Sequence, residues 1–154
     1  MASALLAVPL IRQKKDGECV PACAAMALAY IGIVVAYDRL VALLETDWFG
    51  TPSFKIQRLE SLGVKVLYKH GSFAELERQL ENNQPCIAFV KTKQLPYWDF
   101  EEDSHAVVVV GLDDSFVYVN DPRFAAAPIQ VARGDFDLAW LEWDELYAVL
   151  MRRE

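Results

Sequence analysis

The sequence predicts an α+β fold in which helices come first and antiparallel strands come second. Three observations indicate it: helix-favouring segments fill the first half of the chain, short apolar segments fill the second half, and a turn signal joins two of those segments. With 154 residues, 54% of them hydrophobic and 24% charged, the chain has the size and composition of one globular domain, which we assign to residues 1–154.

The first half of the chain carries three predicted helices behind an extended segment at residues 5–12, which is either a strand or an arm. Residues 19–31 are rich in Ala, Met and Leu, are apolar almost all round and are followed by Gly32, so they predict a buried central helix. Apolar residues at helical spacing predict a second helix at residues 37–45. A third, at residues 54–62, is entered through Thr-Pro-Ser and ended by a glycine.

Strands alternate with helix in the next part of the chain. Residues 64–68 and 85–90 predict strands, and residues 72–82 predict a helix between them. Ser72 and Glu75 have the spacing of a capping box, in which each side chain accepts a hydrogen bond from the other residue's backbone N–H.

The last third of the chain predicts a β-hairpin behind an irregular loop. The loop is residues 91–104, and the hairpin pairs the apolar segments 106–110 and 116–119 across a Gly-Leu-Asp-Asp-Ser turn. A short helix near residues 135–140 and a final strand at residues 146–151 complete the expected order.

Charge and hydropathy exclude several classes of partner. The formal net charge is −7 and no basic cluster stands out, so we expect no nucleic-acid partner and no affinity for acidic lipid surfaces. The apolar stretch at residues 1–11 is too short to span a bilayer, contains Pro9 and lacks a basic start, so it is neither a transmembrane helix nor a signal peptide. Three cysteines, an odd number, predict free thiols in a reducing compartment, and therefore a cytoplasmic protein.

Cys19 is the candidate nucleophile because it begins the predicted central helix. Unpaired N–H groups and the positive end of the helix dipole stabilise a thiolate there. Cys23 lies one turn further on and Cys86 lies within a strand, so we interpret both as core residues. Cys19 taken alone would also fit a small buried residue.

Of the two histidines, His105 is the candidate general base. It lies where an acidic loop enters a fully apolar strand, and an imidazole there can take a proton from a thiol placed beside it. His70 lies in a Lys-His-Gly turn and is expected to be solvated.

The hairpin places an acidic residue opposite His105. If the turn centres on Asp113, residues whose numbers sum to about 226 oppose each other, so His105 faces Asp121 within about one residue. Asp121 would then orient the imidazole. Asn120 is the alternative partner of His105, because neighbouring residues point to opposite faces of a strand and only one of the two can face His105. Asp121 could also simply be a turn residue, since Asn-Asp-Pro is a turn signal.

Gln13 lies six positions before Cys19 and is the candidate oxyanion donor. A side-chain amide there can act with the Cys19 backbone N–H on the negative charge that develops during acyl transfer. One glutamine is a weak signal, but the order Gln, Cys, His, Asp is a stronger one.

Two stretches resemble a known family. Residues 13–32 (QKKDGECVPACAAMALAYIG) are similar to the opening of the papain-like, bacteriocin-processing double-glycine leader peptidases, and SHAVVVVG with VYVNDP resembles that family's His strand and Asp-Pro. The resemblance covers nearly the whole chain. It implies a papain-like α+β fold, with a helical N-terminal half whose central helix packs on a C-terminal antiparallel sheet.

The resemblance also implies roles for four residues: Cys19 as nucleophile, His105 as base, Asp121 as the group that orients it and Gln13 as the oxyanion donor. The family's Asp-Cys-Gly is Glu-Cys-Val here, so Val20 would reshape the substrate cleft. No exporter accompanies these residues, so we expect a free-standing domain whose substrate is not inherited from exporter-fused relatives.

The leading prediction is therefore a cysteine peptidase that needs no cofactor or metal and acts on a peptide or protein. An acyl transferase, transpeptidase or deamidase would use the same site, and a non-catalytic peptide-binding module would keep the fold without turnover. A metal site from Cys19, Cys23 and His105 is disfavoured because a second paired motif is missing.

The loop before His105 is expected to border the cleft. Tyr97 and Trp98 could bind substrate or form a lid there, or could cover the edge of the core. Four acidic residues in the same loop would favour a basic peptide, or are simply solvated: Asp99, Glu101, Glu102 and Asp103.

Overall fold

A computed structural model describes residues 5–99 and 101–153 of the chain. Within them the chain forms four α-helices: α1 (Cys19–Tyr30), α2 (Tyr37–Leu43), α3 (Phe73–Glu81) and α4 (Arg133–Leu141). The strands are β1 (Val64–His70), β2 (Cys86–Lys91), β3 (Ser104–Leu112), β4 (Phe116–Asn120), β5 (Ile129–Ala132) and β6 (Leu146–Arg152). Three 3₁₀ helices span Ser53–Leu62, Thr92–Gln94 and Pro96–Trp98.

The strands form one sheet in the order β1-β6-β2-β3-β4-β5, in which every pair of neighbours is antiparallel. The central strands β2 and β3 are buried along almost their whole length, so both faces of the middle of the sheet are covered. The predicted α+β order and the antiparallel sheet are confirmed.

The central helix α1 is buried from Val20 to Leu28, as its all-round apolar sequence predicts. It packs against β3 and also contacts β2, β6 and α2. Cys19 is the first residue of this helix and is half-buried, whereas Cys23, one turn further on, is fully buried. The packing of α1 therefore holds Cys19 at the rim of the core, close to the start of β3.

The N-terminal segment is an extended arm and not a strand of the sheet. The Leu6 N–H donates to the Val110 carbonyl at 2.9 Å, and the Asn120 side chain donates to the Val8 carbonyl at 3.0 Å. Further along, the Gln13 N–H donates to the Pro122 carbonyl at 2.9 Å. The arm thus runs along the hairpin and delivers Gln13 to the end of β4. Residues 1–4 of the apolar stretch at residues 1–11 lie outside the described residues.

The third predicted helix forms, but as a 3₁₀ helix over Ser53–Leu62. Ile56 and Leu59 are fully buried and Leu62 is partly buried. Residues spaced by three stand directly in line along a helix that has three residues per turn, so the burial of these side chains favours the tighter helix.

Only half of the predicted capping box exists. The Ser72 hydroxyl accepts from the Glu75 N–H at 3.2 Å. In the described structure the Glu75 carboxylate instead binds Lys69 at 2.6 Å and the Tyr147 hydroxyl at 3.2 Å. These two stronger partners, one of them charged, remove the carboxylate from the helix end.

The β3–β4 hairpin forms, but the predicted register is wrong. Paired residues sum to 228 at Val108–Asn120 and to 229 at Leu112–Val117, with a shift between Val109 and Gly111. The register differs because the turn centres between Asp114 and Ser115 and not on Asp113. The irregularity then inserts an extra residue into β3, which turn signals do not reveal. Strand β5 was not predicted either, since it is an edge strand of only four residues that pairs with β4 alone.

No helix within residues 5–99 and 101–153 is both long enough and apolar enough to cross a bilayer.

Candidate active site

A cleft of about 320 Å³ opens where the N-terminus of α1 meets the start of β3. Cys19 and His105 both line it, as do residues of several neighbouring loops. The further lining residues on which the arguments below depend are Gln13, Val20, Trp48, Phe49, Trp98 and Arg123.

Cys19 has the environment of a nucleophile, in contrast to the other two thiols. It is half-buried at the first position of α1, where the N–H groups of the first turn have no partner inside the helix. Cys23 and Cys86 are free but fully buried, and burial raises the pKa of both thiols. Only Cys19 of the three is therefore both accessible to a substrate and next to a base.

His105 and Asp121 form a buried pair. The His105 Nε2 atom lies 2.7 Å from Asp121 Oδ1, and both side chains are almost completely shielded from solvent. The Cys19 side chain also lies close enough to His105 to raise the pKa of the imidazole. The imidazole therefore bridges the carboxylate and the thiol, which is the arrangement that nucleophilic catalysis by cysteine requires.

The Asp121 carboxylate accepts four hydrogen bonds. On Oδ1 it receives the His105 ring and the Arg123 backbone N–H at 2.9 Å. On Oδ2 it receives the Tyr97 hydroxyl at 2.7 Å and the Trp98 indole N–H at 2.9 Å. Such a carboxylate cannot rotate without breaking several bonds, so it fixes the orientation of the imidazole.

Electrostatics keep this pair charged. Burial alone lowers the pKa of His105, but the hydrogen bonds to Asp121 and Cys19 and their negative charges raise it overall to about 10. Burial raises the pKa of Asp121, but the hydrogen bonds from His105, Tyr97 and the Arg123 N–H hold it below the ordinary value. At neutral pH the site therefore contains an imidazolium and a carboxylate.

Asp121, and not Asn120, is the partner of His105, because the two side chains point in opposite directions. The Asn120 amide donates to the Val8 carbonyl and ties down the N-terminal arm, whereas Asp121 turns to His105. Asp121 also forms the turn that its sequence indicates, because its carbonyl accepts the Phe124 N–H at 3.1 Å.

Gln13 lines the same cleft, half-buried. Its Nε2 group donates to the Lys15 carbonyl at 3.1 Å, and an amide nitrogen carries a second proton for another acceptor. Its Oε1 atom is buried and has no hydrogen-bond partner among the described residues. The arm therefore holds Gln13 within the cleft, and one N–H of its side-chain amide remains available to donate a hydrogen bond.

The two aromatic residues of the loop before His105 occupy different places. Trp98 is buried, lines the cleft and packs edge-on against the His105 ring, with ring centroids 4.8 Å apart. Tyr97 lies behind it, packed on Phe124, and is not among the residues that line the cleft. Both support Asp121, a role that sequence patterns did not reveal.

The remaining candidates border the cleft to different degrees. Val20 lines it but is nearly fully buried, and of the four acidic residues of the loop only Asp103 reaches it.

His70 is exposed, lies outside this cleft and has its Nδ1 atom 2.7 Å from the Asp144 carbonyl. In residues 5–99 and 101–153 no group of three His, Cys, Asp or Glu side chains is arranged to hold a metal ion.

Sequence comparison identifies the family. Residues 5–147 match the profile of the Peptidase C39-like family. The chain belongs to this family. It is 29% identical over 133 residues to the lactococcin-G-processing and transport ATP-binding protein LagD of Lactococcus lactis subsp. lactis. That match covers 85% of this chain but only 17% of LagD, so the chain spans about a sixth of the length of that relative.

Solved structures share the fold. A crystal structure of a C39-like peptidase from Bacillus anthracis superposes with a TM-score of 0.80 at 20% identity, covering 97% of this chain and 98% of that one. A double glycine motif protease of an AMS/PCAT transporter, in complex with its leader peptide, gives 0.73 at 20% identity, with coverages of 97% and 95%. The peptidase domain of Streptococcus ComA gives 0.72 at 19% identity, with coverages of 94% and 98%. The papain-like fold of the C39 peptidases is thereby confirmed.

The raised pKa of His105 predicts the outcome of an NMR titration of its ring. With His70→Gln removing the only other imidazole, we expect His105 to stay protonated through neutral pH and to lose its proton near pH 10. Asp121→Asn should move this midpoint to a lower pH, because the negative charge that favours the imidazolium is gone. Asp99→Asn, which removes an exposed carboxylate of the neighbouring loop, is the matched control and should leave the midpoint unchanged. A midpoint at or below 6.5 in the parent chain would contradict the charged pair.

Proposed function

We propose that the chain is a cysteine peptidase that hydrolyses peptide bonds through an acyl-enzyme intermediate, in which the acyl group is bound to the enzyme as a thioester. The observation that carries this proposal is the His105 imidazole, which shares the cleft with Cys19 and is hydrogen-bonded to the buried Asp121 carboxylate. Membership of the Peptidase C39-like family supports it.

Each step has a group to perform it. The Cys19 thiolate attacks the peptide carbonyl carbon, and the developing oxyanion accepts hydrogen bonds from the Cys19 N–H and the Gln13 amide. The His105 imidazolium gives its proton to the leaving nitrogen as the C–N bond breaks, which leaves a thioester on Cys19. The neutral imidazole then takes a proton from water, whose oxygen attacks the thioester, and the C–S bond breaks to release the carboxylic acid and to restore the Cys19 thiolate beside the His105 imidazolium.

The substrate class we propose is a peptide that is processed by removal of a leader segment. One matched structure is described as a protease in complex with a leader peptide, and the matched relative LagD is named for lactococcin-G processing. The transport function in the name of LagD is not carried over, since the match covers 17% of that protein. The three free thiols suit a reducing compartment, so we place this activity in the cytoplasm.

The proposal is tested by incubating the full chain with a peptide library that includes double-glycine leader sequences, followed by mass spectrometry. We expect two fragments whose masses sum to that of the peptide plus one water. Cys19→Ala should abolish cleavage, and Cys23→Ala, which removes a buried thiol outside the cleft, should retain it.

Two other outcomes would contradict hydrolysis. Products that carry an added amine in place of water would indicate an acyl transferase at the same site. Peptide binding without any product would indicate a non-catalytic binding module.

Gln13→Ala separates catalysis from simple thiol reactivity. Loss of an oxyanion donor typically lowers kcat about 10²–10³-fold, while KM changes little because the ground state has no oxyanion. Alkylation of Cys19 by iodoacetamide creates no oxyanion either, so its rate should stay the same, and Cys23 and Cys86 should remain unlabelled in the folded chain.

Gln57→Ala is the matched control for this variant, since Gln57 is exposed on the Ser53–Leu62 helix, and it should change neither rate. An unchanged kcat in Gln13→Ala would remove Gln13 from the oxyanion site. A parallel fall in the alkylation rate would assign Gln13 to the environment of the thiol instead.

A further inference from the structure

Two large aromatic side chains stand exposed at the rim of the catalytic cleft. Trp48 and Phe49 are 77% and 79% exposed, although both line the cavity that contains Cys19 and His105. Their rings stack on each other, with centroids 3.6 Å apart and an angle of 29° between the planes. The stack presents a continuous apolar surface to anything that enters the cleft.

The turn that carries this pair is held in place by its backbone. Asp47 and Gly50 exchange two backbone hydrogen bonds, of 3.0 and 3.3 Å, and the Asp47 carboxylate accepts the Phe49 N–H at 2.9 Å. Gly17, two residues before Cys19, packs so closely on the turn that a Cβ atom there would lie 3.0 Å from the Asp47 and Trp48 carbonyl oxygens. The aromatic pair is therefore fixed relative to the segment that leads into the nucleophile.

The surroundings of the pair favour an apolar ligand. Other apolar side chains of the same cleft are Pro52, Phe89, Trp98 and Trp143. Asp103 also lines the cleft, whereas Asp16 and Arg123 pair with each other at 3.3 Å and so offset one another. Exposed apolar patches of this kind on a rigid turn mark binding sites, because aromatic side chains gain most from being covered.

We propose that Trp48 and Phe49 form a side-chain subsite that binds a large apolar residue of the peptide substrate. This inference rests on the proposed function, since the occupant is the peptide that presents its scissile bond to Cys19. The continuity of the aromatic pair with the catalytic cleft identifies that occupant. The pair thereby determines specificity and takes no part in bond breaking.

The test uses affinity labels, so it needs no turnover. The labels are N-acetyl tripeptides whose C-terminal glycine carries the chloromethyl ketone group. Each of the other two positions holds either Phe or Ala. The Cys19 thiolate displaces chloride and forms a thioether, which mass spectrometry follows in the full chain. We expect one Phe-containing label to react about 10–100-fold faster than the all-Ala label, the range that large apolar groups give in pockets.

The advantage of Phe should disappear in Trp48→Ala and in Phe49→Ala. It should persist in Val34→Ala, a matched control that removes a 93% exposed apolar side chain outside the cleft. Iodoacetamide should label Cys19 at the same rate in all four chains, and circular dichroism should show the same fold.

Three results would overturn the subsite: no advantage for Phe at either position, an advantage that survives both substitutions, or a dimer of the parent chain that Trp48→Ala dissolves. The last result would show that a second copy covers the pair. Failure of the proposed function is distinguishable, because the parent would then cleave no peptide of the library even if the labels report an apolar subsite.

Discussion

The site depends on one buried ion pair, the hydrogen bond of 2.7 Å between His105 and Asp121. A charged pair taken out of water is favourable only when its remaining polar atoms are also satisfied. The Asp121 carboxylate meets this condition through Tyr97, Trp98 and the Arg123 N–H. Removing one partner of such a pair typically costs about 3–5 kcal/mol, so the fold and the chemistry constrain the same residues.

Three separate segments must come together around this pair. The buried helix α1 brings Cys19, strand β3 brings His105, and the end of β4 brings Asp121. The N-terminal arm connects them, because Asn120 anchors the arm at Val8 while Gln13 reaches Pro122. Asn120 and Asp121 thus divide two tasks, one structural and one at the site, between the two faces of a single strand.

Local patterns predicted most of the fold. They also selected Cys19 and His105 as candidates, because these residues stand where a helix and a strand begin and such starts have clear signals. They did not predict the hairpin register, because the turn centres between Asp114 and Ser115 and not on Asp113. They did not predict the bulge in β3 either, since an inserted residue is set by packing. The support of Asp121 by Tyr97 and Trp98 was also missed, because it joins residues more than 20 positions apart. The exposure of Trp48 and Phe49 was not predicted, since large aromatic residues usually belong to a core.

The central claim is that Cys19, His105 and Asp121 act together to form a covalent bond to the substrate. Its most direct test is intact-protein mass spectrometry of the chain, quenched in acid during turnover of a cleaved peptide. We predict an adduct on Cys19 whose mass equals the N-terminal fragment of the peptide minus one water, as a thioester requires, and its much slower formation in Asp121→Ala. Cleavage that proceeds without any adduct on Cys19, or at an equal rate in Cys19→Ala, would contradict the account.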